Sequence, residues 1–336
     1  MSKLLKGAMI GCGWFAENHL DGWRRIPDVE IVAAADLRLD RAKKFAAKAY
    51  SSAEEMLDKE RVDFVDIATP APSHLPMVRL VAERKLPMIC QKPIAPDWAG
   101  ALELVRVAEE AGVRLMIHEN WRWQPWFRQA QKMIARGDIG VPIGYGFRFR
   151  RGDGLGDEPY LEQAYFRKER KLIMQQALVH LMDTARFLFG DIASVYAQSS
   201  RRNPRIVAED QAIIVLTHEN GVHGWVDGHR FLNPNPPGPA MGDTQLEGEG
   251  GVITILATGE IRLDNVKVWT SDVAPTVYGG DCVRATEMHF ISCLKDGSPF
   301  ESAGRSYLRT FAAVEAAYRS SSEQRCIPLA EILGPA

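Results

Sequence analysis

Ala8-Met9-Ile10-Gly11-Cys12-Gly13-Trp14-Phe15-Ala16 runs from an apolar segment straight into a G-x-G-x-x-A turn. The first glycine lets the chain bend tightly, and the second lets backbone approach a pyrophosphate. A small residue at the third place lets the following helix lie close to the strand. A helix starting there offers free N–H groups and a positive dipole end to phosphates. The next apolar run ends at Asp36, about 20 residues on, where a carboxylate meets adenosine ribose hydroxyls. The glycines alone fit a tight turn in any α/β protein; Asp36 in register makes the segment a dinucleotide site. Gly11, Gly13, Trp14, Phe15 and Asp36 are therefore candidate cofactor residues. A carboxylate at 36 repels a 2′-phosphate and accepts from a free 2′-hydroxyl, which favours NAD. Arg38 is the kind of residue that grips a 2′-phosphate, so NADP stays open.

Outward from this turn, short apolar runs at 8–10, 29–35, 64–68, 88–90 and 114–117 alternate with helical patterns over 16–25, 38–49, 53–59, 73–83 and 99–111. That alternation predicts an α/β domain over residues 1–124, a doubly wound parallel Rossmann sheet. Its ligand crevice lies at the carboxyl ends of the strands. From 125 to 336 the pattern changes to an α+β domain. A helix at 126–136 leads into 141–150, where Tyr145, Phe147 and Phe149 alternate with Gly146, Arg148 and Arg150. Further strand patterns at 193–201, 211–217, 223–231, 244–249, 252–256, 260–263 and 267–270 predict a mostly antiparallel open sheet. A helix over 172–189 interrupts the run, and one near 307–320 is expected to return to the first domain. The uncovered face of the second sheet is a candidate oligomer surface.

Composition narrows the class. With 336 residues, 46% hydrophobic and 25% charged, the chain is long enough for two cores. A net charge of −2 leaves no electrostatic footprint for nucleic acid or an anionic membrane. Apolar runs are too short to span a bilayer, and the opening residues lack a signal-peptide pattern. The five cysteines show no C-x-x-C spacing. These features set the expectation of a cytoplasmic protein with reduced thiols and no metal centre.

Two clusters carry chemistry. Thr69-Pro70 with His74 closes the third strand, and Gln91-Lys92-Pro93 closes the fourth, both at the lip where a nicotinamide emerges. A lysine there can polarise a hydroxyl and lower the pKa of an alcohol about to lose hydride. A solvent-facing lysine before a proline has the same sequence appearance. On the long helix, Gln176, His180 and Asp183 follow helical spacing. His180 is the natural general base; a hydrogen-bonded interior histidine among Ala177, Leu178, Leu181 and Met182 is the plainer alternative.

The order of these pieces resembles the glucose–fructose oxidoreductase / inositol dehydrogenase / MocA (Gfo/Idh/MocA) family of NAD(P)-dependent oxidoreductases. The likeness runs through Gly11-Cys12-Gly13-x-x-Ala16-x-x-His19, Asp36, Ala68-Thr69-Pro70-x-x-x-His74, Lys92-Pro93, Asn120-x-Arg122-x-x-Pro125 and His180-x-x-Asp183. It implies a dehydrogenase acting on a sugar or cyclic polyol, with Lys92 and His180 flanking the substrate and dimers or tetramers as the assembly. It places Lys92, Gln91, Thr69, Pro70 and His74 beside the cofactor. Arg122, Trp123, Arg148, Tyr165, Gln176 and His180 are the substrate-side candidates. The segments Cys90–Pro93 and Glu119–Gln124 look most like the D-apiose dehydrogenase branch, implying NAD-linked oxidation at the anomeric carbon of a branched pentose.

Three positions depart from the family pattern: Gln176 replaces an aspartate, Leu178 a glycine and Gln91 a glutamate. An amide cannot hold charge beside an imidazolium. Transient oxidation that cleaves a glycosidic bond, and a dinucleotide-binding regulator without turnover, therefore stay open.

Overall fold

Strand β1 (Leu5–Ile10) brings Ala8, Met9 and Ile10 into full burial, because helices on both faces of a parallel sheet leave its central strands no wet side. The computed structural model describes residues 4–334. They divide into two compact units: the chain through Asn120 with Val283–Leu308, and Trp121–Cys282 with the chain from Arg309 onward.

In the first unit β1 is followed by α1 (Ala16–Arg24), β2 (Val29–Ala35), α2 (Leu39–Phe45), β3 (Lys48–Tyr50), α3 (Ala53–Lys59), β4 (Phe64–Ile67), α4 (His74–Glu83), β5 (Met88–Gln91), α5 (Trp98–Glu110) and β6 (Leu115–His118). All pairings are parallel, in the order β3-β2-β1-β4-β5-β6. The order reverses direction beside β1, the switch point at which such sheets open a crevice. Ser52 and Asp97 cap α3 and α5, accepting from the N–H of Glu55 (3.2 Å) and of Gly100 (2.8 Å).

One expected helix is shorter than its pattern. Residues 38–49 read as helix, yet the chain turns extended at Ala46, and Lys48–Tyr50 joins Ala33–Ala35 as an edge strand. Open hydrogen-bonding groups at the sheet edge outweigh the high helix propensity of alanine and lysine.

The second unit contains α6 (Pro125–Ala135), β7 (Pro142–Arg150), α7 (Val179–Phe189), β8 (Ile192–Ser200), β9 (Gln211–His218), β10 (His223–His229), β11 (Thr244–Gly248), β12 (Gly251–Ile255), β13 (Ile261–Leu263) and β14 (Val266–Trp269). Its nine-stranded sheet runs β14-β13-β12-β11-β7-β10-β9-β8-β15, the last being Ile327–Pro328. Only β7 and β10 pair in parallel; the rest are antiparallel. Tight turns at Asn220-Gly221 and Glu249-Gly250 join β9 to β10 and β11 to β12, with Gly221 at φ +88°.

Helix α8 (Cys282–Asp296) lies almost wholly in the stretch that rejoins the first unit. There Phe290 meets Phe64 edge to face at 5.5 Å, beside Trp23. Helix α9 (Gly304–Glu323), the one expected near 307–320, belongs to the second unit from Arg309 onward. The returning segment is thus Val283–Leu308. A short α10 (Ala330–Leu333) follows. Among the described residues no helix is long and apolar enough to cross a membrane.

Candidate active site

The turn after β1 is shaped by what a side chain would strike. Gly11 sits at φ +93°, and a Cβ on it would lie 2.8 Å from Thr69 Cγ2 and 2.9 Å from the Ala68 carbonyl. Only glycine fits there, on conformational and steric grounds together. Gly13 is the opposite case: nothing lies within 4 Å of a Cβ built on it. That open space is where a pyrophosphate needs the backbone bare. Ala16, 1% exposed, opens α1, small enough for the helix to sit against the sheet. Trp14 and Phe15 form the rim of the turn, Trp14 being 40% exposed.

Asp36 ties this turn to the end of β2. Its Oδ2 accepts from the Cys12 N–H and its Oδ1 from the Arg38 N–H, both at 2.8 Å. Each oxygen keeps accepting capacity for a ribose hydroxyl. The Arg38 guanidinium lies on Asp40 at 3.1 Å, out in solvent. The bare Gly13, the glycine-only bend and the Asp36 carboxylate fit an NAD adenosine and pyrophosphate.

Below the turn lies a buried polar layer. Asp66 in β4, His19 in α1 and Gln91 at the end of β5 are linked: His19 Nδ1 meets Asp66 Oδ2 at 2.8 Å, and Gln91 Nε2 meets His19 Nε2 at 2.9 Å. Trp23 Nε1 donates to the same Asp66 oxygen at 2.7 Å. Gln91 Oε1 accepts from the Lys92 N–H at 2.6 Å. His118 stacks on His19 with centroids 4.0 Å apart, and Glu287 completes a trio whose ligand-type atoms lie within 4.8 Å of one another. Both ring nitrogens of His19 are engaged by Asp66 and Gln91, so the trio as built is a packed polar layer. Lys92 itself is half-buried.

His74 behaves differently from its expected part in cofactor binding. It is 1% exposed, with Nε2 on the Thr69 carbonyl (2.7 Å) and Nδ1 on the Ile94 carbonyl (3.1 Å). The neutral ring has one N–H to donate to one of these carbonyls, and it packs between the two loops that carry Thr69-Pro70 and Lys92-Pro93. Burial pushes its pKa down. Pro70 is exposed, and its carbonyl accepts from the Ser73 hydroxyl at 2.7 Å.

In the second unit the expected helix over 172–189 begins as a π-helical segment, Ile173–Leu178, before becoming α7. Such insertions cluster at functional sites. Glu209 caps the start: its Oε1 accepts from the N–H of Leu172 (3.0 Å) and Met174 (3.2 Å) and from the Tyr318 hydroxyl (2.6 Å). Leu178, in the family's glycine position, packs against a glycine of β10. A Cβ on Gly228 would lie 2.3 Å from Leu178 Cδ2, so the leucine fills the space the glycine leaves.

His180, 4% exposed, lies face to face with Trp121, centroids 4.8 Å apart and planes 6° off parallel. The indole fixes the imidazole plane, and Gln176, half-buried, stands one turn earlier. Asp183 is occupied by Arg122, which donates from Nε and Nη2 to its two oxygens at 2.7 Å each, and by the Thr310 hydroxyl at 2.8 Å. Arg122, expected to meet substrate, forms this buried pair.

Trp123 carries Arg128 over its ring at 3.4 Å. Tyr165 is 55% exposed, its ring 4.6 Å from Phe166. Arg148, another expected substrate contact, is exposed and stands over Trp225 at 5.8 Å. It projects from the strand face opposite Tyr145 and Phe149, which meet Phe189 of α7 and Trp121. It therefore lies on the far side of the sheet from His180. Arg150 shares that outer face and pairs with Asp227.

Sequence reading missed four residues: Trp121, Asp66, Glu209 and the role of His19. Asp66 had a signal, a carboxylate inside the apolar strand Phe64–Ile67. His19 stood in the family motif without its partners being visible, and stacking and long-range capping left no periodic mark at Trp121 or Glu209.

The sequence profile of the oxidoreductase family with NAD-binding Rossmann fold matches residues 5–119, and that of the GFO/IDH/MocA C-terminal domain matches residues 127–254. The chain belongs to the Gfo/Idh/MocA family. Within that family it is 37% identical to a D-apiose dehydrogenase of Paraburkholderia graminis, over 97% of this chain and 90% of the relative. It is 33% identical to a D-apiose dehydrogenase of Rhizobium rhizogenes, over 98% and 99%. A crystal structure of an oxidoreductase from Agrobacterium radiobacter in complex with NAD+, L-tartaric acid and magnesium is 32% identical, with a TM-score of 0.90 over 98% of this chain and 100% of that one. This Gfo/Idh/MocA protein is an NAD-dependent dehydrogenase of the sugar and polyol type.

Proposed function

We propose that this dehydrogenase oxidises a hydroxyl-bearing carbon of a sugar, with D-apiose at its anomeric carbon as the leading substrate and a lactone as product. The supporting observation is the near full-length likeness to two D-apiose dehydrogenases, in a chain that keeps Lys92-Pro93 and His180-x-x-Asp183. Bound NAD supplies a hydride acceptor at nicotinamide C4. Lys92 donates a hydrogen bond to the reacting hydroxyl oxygen and stabilises charge developing there. His180, its plane set by Trp121, accepts the hydroxyl proton. Gln176 binds a neighbouring hydroxyl through its neutral amide, since it cannot take up a proton. Trp123 and Tyr165 offer aromatic surface to a sugar ring. Arg122 is a positioning residue that holds Trp121 and α7 through Asp183.

The test is NADH absorbance at 340 nm across aldoses and cyclic polyols including D-apiose, with NAD binding measured alongside. NADH formation on D-apiose supports the reading. Sugar-dependent glycoside cleavage without NADH build-up would replace it with transient oxidation, and tight NAD binding with no turnover would make the protein a regulator. We also read the outer face of the large sheet, where Ile213 (48% exposed) and Val215 (42% exposed) stand clear, as a homodimer or homotetramer surface. A monomer mass by light scattering rules that out.

A further inference from the structure

We propose that Gln91 is a positioning residue for Lys92, its amide held in one orientation by a neutral, Nδ1-protonated His19 anchored on Asp66. This rests on the role given to Lys92 above. The polarity of the chain follows from its ends. A backbone N–H only donates, so the Gln91 atom 2.6 Å from the Lys92 nitrogen is the carbonyl Oε1. The amide nitrogen then faces His19 Nε2 at 2.9 Å and must donate to it. At the other end, the Asp66 carboxylate takes Trp23 Nε1–H and His19 Nδ1–H on the same oxygen. Every link has one donor and one acceptor: Lys92 N–H to Gln91, Gln91 to His19, His19 to Asp66. No second imidazole proton has a place.

Asp66 and His19 are both 0% exposed, and Gln91 is 7% exposed, so no solvent relieves a mismatch. The groups facing His19 are Asp66 from β4, Gln91 from β5, the edge of Phe15 at 5.6 Å, the stacked His118 of β6 and the Glu287 carboxylate of α8. A glutamate at 91 accepts the Lys92 N–H equally well, but turns a second acceptor toward Nε2. That acceptor–acceptor contact closes only with one further proton between the two groups, and an acidic group arrives beside Lys92. The glutamine thus places a neutral amide, and not an acid, beside Lys92.

The experiment reads the imidazole first. In protein labelled with 15N-histidine, two-bond 1H–15N spectra assigned with His19→Asn should show His19 as the Nδ1–H tautomer between pH 6 and 8. In Gln91→Glu the same resonance should become the doubly protonated form. A wild-type Nε2–H tautomer or imidazolium overturns the proposal, whether or not any sugar is turned over. With a substrate in hand, Gln91→Leu should lower kcat about tenfold, the scale of one hydrogen bond, with KM and NAD affinity within about threefold. Gln91→Glu should restore most of that loss while adding a new ionisation to the kcat–pH profile. Wild-type kcat in a folded Gln91→Leu protein, confirmed by its melting curve, likewise overturns the positioning role. Absence of turnover in wild type overturns the substrate reading alone.

Discussion

The nucleotide turn of the first unit and the π-to-α helix of the second place functional groups by different means. At Gly11–Ala16 the backbone is the site: one glycine bends, one stays bare, and Asp36 locks the turn through the Cys12 N–H. On Ile173–Phe189 the side chains are the site, and each is held by a partner far away in sequence. Trp121 faces His180, Arg122 and Thr310 hold Asp183, Glu209 caps the π segment, and Gly228 makes room for Leu178. A backbone site tolerates little change at a few positions. A side-chain site spreads its tolerance over many partners, and there this chain departs from the family pattern.

The comparison breaks most sharply at His180. His180→Asn should lower kcat by about 10²–10⁴-fold, the usual worth of a general base, with NAD affinity unchanged by titration calorimetry. An equal loss of NAD binding would mean that the two regions do not have separate roles. Next is Arg122→Met, which leaves Asp183 buried without its guanidinium and should cost about 3–5 kcal/mol in denaturant unfolding. A loss below about 1 kcal/mol, the worth of a surface pair, would show that Asp183 finds another cation.

Gly11→Ala should destabilise by about 1–3 kcal/mol through overpacking against Ala68 and Thr69, and should weaken NAD binding while leaving His180 chemistry per bound cofactor intact. Normal NAD affinity in that variant contradicts the backbone account. Gln176→Asp should move the acidic limb of the kcat/KM profile to higher pH, because a carboxylate beside the imidazole favours imidazolium. An unmoved limb would mean that His180 is not the titrating base.

The smallest effect is on stability and is shared by both units. Burial lowers the pKa of His74, and likewise of His218, whose nitrogens meet the Gly190 carbonyl and the Tyr145 hydroxyl at 2.8 Å each. Unfolded histidines bind protons near pH 6.5, while the folded ones resist until lower pH. Their stabilising contribution is therefore full above about pH 6.5 and falls away as pH drops through the folded values. Melting curves at pH 8, 6.5 and 5 should show a decline that His74→Gln and His218→Gln each make shallower. Identical slopes in all three proteins would remove the assignment.

How far each region can be read in advance follows from the same contrast. Gly11, Gly13 and Asp36 are legible because a bend, a bare approach and a strand end all fall within one strand–helix–strand unit, Cys12 and Asp36 lying 24 residues apart. Asp66 was partly legible as a charge in an apolar strand. His74, Arg122 and Arg148 were expected beside ligands, and only the fold shows that burial sets the first against carbonyls, that Asp183 pairs with the second and that strand alternation sends the third outward. Lys48 and Ala49 read as helix because nothing in those residues announces a neighbouring sheet edge.

The sequence by itself therefore determined the parallel Rossmann sheet, the NAD preference, the antiparallel second sheet and the presence of Lys92 and His180 in family order. Apolar periodicity and glycine conformation act over short range, and they survive in one dimension. Tertiary structure alone decided which polar groups are already spoken for. Pairing Arg122 with Asp183 spans 61 residues, Gln91 with His19 spans 72, and Tyr318 with Glu209 spans 109. The free energy of such pairs comes from excluding water around both partners at once, a condition that exists only after the chain has folded.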